Sequence, residues 1–184
     1  MRPPFLLLMM VLLSACSTTP RLETRPAQGD APFAFNGRVA VIQGGRHDSA
    51  AVRWIHRSGN DEVLLLAPLG QVVARIVGDA QGVTLESDGQ THAAQDAETL
   101  TRRLLGWELP LSGLRHWLTA VPAPAGGFHA ERDGAGRMAV LYQQGWTIRY
   151  TRYASEAPDA LPSRMNLQRE GLELRVVIDE WEMQ

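Results

Sequence analysis

Val83-Thr84-Leu85-Glu86-Ser87-Asp88-Gly89-Gln90-Thr91-His92-Ala93-Ala94 decides the fold class. Asp-Gly is a strong two-residue hairpin signal, because both residues tolerate the positive φ that a type I′ turn demands. Residues 83–86 and 91–94 flank it with strand composition, so the stretch predicts an antiparallel hairpin. The same grammar recurs in both directions. Upstream, residues 35–42, 49–56, 62–67 and 72–77 read as strands. The turns between them are Gly44-Gly45-Arg46-His47-Asp48, Ser58-Gly59-Asn60-Asp61 and Ala67-Pro68-Leu69-Gly70. Downstream, residues 128–132, 138–143, 146–153, 165–169 and 172–181 repeat it, joined by Asp133-Gly134-Ala135-Gly136, Gln144-Gly145, a polar loop closed by Pro162, and Glu170-Gly171. Some eleven short strands at this spacing predict a meandering antiparallel sheet.

The period changes once, in the middle. Asp96 suits a helix N-cap, Glu98 suits the first turn, and Gly106 suits the stop. Ala97, Leu100 and Leu104 share one face. A second helix is expected from Leu111 or Ser112 to Ala120, since Leu114, Trp117, Leu118 and Val121 stand at i, i+3, i+4, i+7 and Pro122 and Pro124 follow. Strands before and after a helical insert imply a curved antiparallel sheet with helices on one face.

The amino terminus carries a separate message. Arg2, an apolar run from Phe5 to Leu13, and then Ser14-Ala15 have the layout of a secretory signal. The run is too short for a bilayer, which needs about 20 residues. The only cysteine of the chain, Cys16, follows at once, and Leu13-Ser14-Ala15-Cys16 resembles a bacterial lipobox. The expected organisation is a signal peptide over 1–15, an acylated Cys16 with a flexible tether over 16–34, where Pro20, Pro26, Gly29 and Pro32 accumulate, and a folded domain over 35–184.

Composition excludes several function classes. All 18 basic residues are Arg against 20 acids, and no basic run exists, so nothing points to nucleic acid. A single cysteine allows no internal disulfide. His47, His56, His92, His116 and His129 are scattered without metal-ligand spacing. There is no G-x-S-x-G, and Gly134 and Gly136 lack the strand-to-helix context of a dinucleotide loop. An enzyme is therefore not expected, nor a metal or cofactor.

What stands out is apolar. Trp54, Trp107, Trp117, Trp146 and Trp181 are many for this length. They either fill an ordinary core or help wall a cavity between the sheet and its helices. Leu69, between Pro68 and Gly70, either folds back on the sheet or stands out as a hydrophobic finger, at a hairpin tip where polar residues are the rule.

Taken in order, Phe35-Asn36-Gly37-Arg38-Val39, Leu66-Ala67-Pro68-Leu69-Gly70, Leu109-Pro110-Leu111, Leu114-Arg115-His116-Trp117-Leu118, Trp146-Thr147-Ile148-Arg149-Tyr150 with Tyr153, Leu161-Pro162 and Trp181 resemble the LolB family of outer-membrane lipoproteins. The resemblance covers residues 35–181. It implies an unclosed eleven-stranded β-barrel with a helical lid over an apolar cavity. It implies a receiver that takes lipoproteins from the periplasmic carrier LolA and inserts them into the outer membrane without nucleotide. Ser17 suits outer-membrane sorting. The family's exposed loop leucine corresponds to Leu69, so Pro68, Leu69 and Gly70 are the expected membrane-insertion loop. Trp54, Leu65, Leu114, Trp117, Leu118, Trp146, Ile148, Tyr150 and Trp181 are the expected acyl-chain contacts. The implied partners are LolA, the acyl chains of client lipoproteins and the outer-membrane bilayer, with the protein a monomer facing the periplasm. The alternative is a lipid-binding or structural envelope lipoprotein without transfer activity.

Overall fold

The computed structural model describes residues 31–183. The expected signal peptide, Cys16 and most of the expected tether lie outside these residues. All eleven strands join one antiparallel sheet: β1 Phe33–Gln43, β2 Arg46–Arg57, β3 Asn60–Leu66, β4 Val72–Asp79, β5 Gly82–Ser87, β6 Gln90–Ala94, β7 Phe128–Arg132, β8 Met138–Gln143, β9 Trp146–Tyr153, β10 Pro162–Arg169 and β11 Leu172–Met183. Their order is β6-β5-β4-β3-β2-β1-β11-β10-β9-β8-β7. Two meanders therefore meet where the first and last strands pair, Phe33 opposite Met183 through Gln43 opposite Leu172. β6 and β7 are the free edges, so the barrel is unclosed.

The helices lie on the connection between those edges. α1 is Ala97–Leu105 and α2 is Leu111–Trp117. The chain must cross from one rim of the curved sheet to the other, and it crosses over the face where apolar side chains gather. α1 begins and ends as its sequence directs. The Asp96 side chain accepts from the Thr99 N–H at 2.6 Å, and Gly106 turns left-handed at φ 79°. α2 closes at Trp117, three residues short of expectation. The carbonyl of His116 is taken by the Thr119 and Val121 N–H groups and the Thr119 hydroxyl. That of Trp117 is taken by the Ala120 N–H and the Tyr150 hydroxyl. Ala120 then turns at φ 56°.

Most strands are longer than the sequence suggested. Gly44 and Gly45 both have positive φ, a two-residue turn that leaves Arg46 to Asp48 to β2 instead of the turn. β1 begins at Phe33, and β10 begins at Pro162, a position a strand tolerates because its first residue need not donate. The core runs beneath the helices. Phe33, Phe35, Trp54 and Trp181 form one aromatic group, with Trp181 5.4 Å from Phe35 and 5.5 Å from Phe33 between ring centroids. Trp117 and Trp146 form another at 6.3 Å.

Candidate lipid cavity and apolar loop

Alternation puts every second strand residue on the helix-facing side. On β1 to β5 those residues are Phe35, Val39, Val41, Val52, Trp54, Val63, Leu65, Ala74, Ile76 and Leu85, with Leu174 and Val176 from β11. Above them stand Leu114 of α2 and Leu118 just past its end, Thr101 of α1, and Trp107 and Leu109 of the link between the helices. Together they enclose a cavity of about 320 Å³, at the small end of ligand pockets. Its polar contributors are few: Asp48, Ser49, Ser87 and Thr101. The Thr101 hydroxyl is already engaged, donating to the Ala97 carbonyl and accepting from the Leu109 N–H, both at 2.8 Å. The space can hold hydrocarbon and offers little to a polar ligand.

Of the expected acyl-chain contacts, Trp54, Leu65, Leu114 and Leu118 are brought together on this wall. Trp117, Trp146, Ile148 and Tyr150 are placed elsewhere, buried where α2 meets β8 and β9. There Trp117 donates to the Gln143 side chain at 2.9 Å, and Gln143 exchanges hydrogen bonds with the Ala123 backbone at 2.8 Å each way. Trp181 packs on Phe33 and Phe35 at the end of β11 and donates to the Pro162 carbonyl at 2.9 Å. Trp107 and Leu109, which are not among the expected acyl-chain contacts, are also on the wall. The signal for them was an apolar pair just after a helix stop, where polar residues are the rule.

Two ionic contacts fasten the covering segment to opposite halves of the sheet. Asp61, fully buried at the start of β3, accepts from the Trp54 indole at 2.9 Å and lies 2.9 Å from His56 Nδ1. Its other oxygen faces an Arg115 guanidinium nitrogen of α2 at 2.9 Å, off line for a hydrogen bond, so that attraction is Coulombic. Glu108, in the helix link, pairs with Arg169 of β10 and with Arg102 of α1. Hydrogen bonds from Arg169 first and Arg102 second hold the Glu108 carboxyl below the usual carboxylate range. Arg169 also lies over the Trp146 ring at 4.8 Å.

The 67–70 turn is closed by the Gly70 N–H on the Ala67 carbonyl at 2.8 Å, with Gly70 at φ 81°. Pro68 presets the first corner. Leu69, the second corner, is 88% exposed, and the neighbouring Val72 and Val73 are also exposed. That exposure decides between the two sequence readings: Leu69 does not fold back on the sheet. Leu65 on the cavity wall and Leu69 outside are joined by one short run of chain.

A family model described as outer membrane lipoprotein LolB matches residues 31–181. The chain belongs to the LolB family. It is 39% identical to the outer-membrane lipoprotein LolB of Chromobacterium violaceum over 184 residues, covering 98% of this chain and 99% of that one. It is 41% identical to the LolB of Thiobacillus denitrificans, covering 92% and 91% of the two chains. Family membership makes it an outer-membrane lipoprotein. Solved structures agree on the fold. A LolA superfamily protein from Nitrosomonas europaea superposes at TM-score 0.51 with 10% identity, covering 84% of this chain and 87% of that one. A putative outer membrane lipoprotein-sorting protein domain from Vibrio parahaemolyticus gives 0.51 at 9% identity, with 87% and 88% covered. The sheet wrapped under two helices is thus the LolA/LolB arrangement.

Proposed function

We propose that this LolB-family chain, anchored through acylated Cys16, receives client lipoproteins from LolA into the cavity beneath α1 and α2 and delivers them to the outer membrane through Leu69. The observation that carries the reading is the pairing of an almost wholly apolar cavity with a bare leucine finger at the end of the same strand. Trp54, Leu65, Leu114 and Leu118 take the acyl chains, with Trp107 and Leu109 above them. Trp117, Trp146, Ile148, Tyr150 and Trp181 hold the frame. Pro68 and Gly70 keep Leu69 pointing outward.

Magnitudes explain why a receiver is needed. Burial of hydrocarbon is worth about 0.8 kcal/mol per methylene. Three acyl chains hold roughly 40 methylenes, so full exposure to water costs on the order of 30 kcal/mol. Passage from one apolar wall to another avoids that barrier. What remains is a difference of affinities of a few kcal/mol, and no nucleotide is required. The chain acts as a monomer, since one cavity and one loop complete the path.

The test uses the Cys16→Ala chain, which keeps every residue of the described fold. It is mixed with LolA carrying a labelled lipoprotein, without nucleotide. Movement of the label onto the chain is the expected result. A folded chain that takes up none would leave a lipid-binding or structural lipoprotein.

A further inference from the structure

We infer that a groove on the outer face of the sheet, between β9, β10, β11 and β1, binds the phosphate of an anionic membrane phospholipid. The groove follows from strand lengths. β10 and β11 pair only from Arg164 opposite Val177, while β11 runs on along β1 to Met183. Where the two strands part, a space of about 650 Å³ opens.

Its charged residues are Arg38, Arg152, Arg164 and Asp179, a net of two positive charges. The register explains their proximity. Arg38 stands opposite Val177, Val177 opposite Arg164, and Arg164 opposite Arg152, one row across four strands. Arg38 is paired with Asp179 at 2.8 Å. Among the described residues no acid lies in ion-pair range of Arg152 or Arg164, both exposed. Like charges directly opposite in a sheet are unfavourable, and a bound anion removes the penalty. The groove also contains Ser163, whose Oγ is buried without a hydrogen-bond partner. Forked guanidinium donors beside a free hydroxyl are the chemistry of phosphate recognition.

Position selects the source of the phosphate. Trp181 lies at one end of the groove and stands opposite Phe35, while the chain enters β1 at Phe33. The groove therefore opens beside the point where the chain arrives from Cys16. In an outer-membrane lipoprotein that pole comes within reach of headgroups. The inference rests on attachment to the bilayer and not on the transfer reading.

The experiment compares the Cys16→Ala chain on vesicles of phosphatidylcholine alone with vesicles containing phosphatidylglycerol, with inorganic phosphate as a third probe. Expected is a clear preference for the anionic vesicles that weakens with salt. Arg152→Gln with Arg164→Gln should reduce it about 30-fold, at roughly fivefold per arginine near an anionic surface. The Lys pair should retain most of it. Equal binding to both vesicles overturns the inference, as does an intact preference in the Gln pair. Inorganic phosphate that binds at Arg152 and Arg164 while the vesicles show no preference also overturns it, leaving a site for the free anion.

Discussion

Replacing Asp61 by Asn tests whether a buried charge holds the covering helix to the sheet. Asn keeps the shape and one acceptor, so the Trp54 hydrogen bond survives. What disappears is the negative charge facing Arg115 and His56. Breaking a buried pair by removing one partner costs about 3–5 kcal/mol. Arg115 keeps 23% of its side chain in solvent and makes no in-line hydrogen bond to the lost oxygen, so the lower end, about 3 kcal/mol, is expected. With a urea m-value near 2 kcal/mol/M, the unfolding midpoint falls by about 1.5 M. Tryptophan fluorescence follows the global transition, and hydrogen exchange at residues 111–117 reports whether α2 loosens first. Because the penalty is Arg115 left without its charge, Asp61→Asn with Arg115→Met should recover at least half of the loss. A cost below about 1 kcal/mol, or strict additivity in the double mutant, would refute the argument.

Three further outcomes follow from the same geometry. Leu69→Glu should leave capture from LolA unchanged and slow membrane delivery about a hundredfold, since an ionised side chain in hydrocarbon costs about 3 kcal/mol; equal loss in both steps of a two-stage transfer assay would exclude a dedicated loop. Gly37→Ala should destabilise the fold by about 3 kcal/mol in thermal unfolding, because a Cβ there would overlap the Val177 carbonyl oxygen at the β1 bulge; an unchanged midpoint would contradict the close approach of β1 and β11. Glu108 has a folded pKa below its unfolded one, so its hold on the helix link is present above the ordinary glutamate value of about 4.3 and is lost only as pH falls through the lower folded value. Hydrogen-exchange protection at residues 107–109, taken relative to the intrinsic rate at each pH, should therefore stay constant from neutral pH down to about 4.5 and fall below it, and a midpoint at or above 4.3 would count against the Arg169 and Arg102 contacts.

The parts of this fold that were legible from sequence are those in which local chemistry and tertiary outcome agree. Asp88-Gly89, Asp96 and Gly106 each specify their own conformation, and the structure uses them as such. Gly44-Gly45 was read too broadly, since nothing local shows that Arg46 to Asp48 belong to a strand until β1 is in place to pair with them. The end of α2 was missed because it is set from a distance, by the Tyr150 hydroxyl taking the Trp117 carbonyl. The cavity wall was half legible. An inward period marks Trp54 and Leu65, but the same period marks Trp146 and Ile148, and only packing separates lining from filling. Asp61 with Arg115 had no signal at all, because a carboxylate near a turn ordinarily reads as solvated.

The route of the chain from β6 to β7 has a mechanical consequence. In cross-section the sheet is an arc, and residues 95–127 are a chord tied to its two tips. Asp61 and Glu108 pin that chord along its length. An arc with a chord cannot spread freely: widening the sheet tightens the span, and lifting the span draws the tips together. Filling the space beneath it and shifting the helices are then one movement. By that geometry, whatever fills the space bears on both rims of the sheet at once, although its walls include neither β6 nor β7.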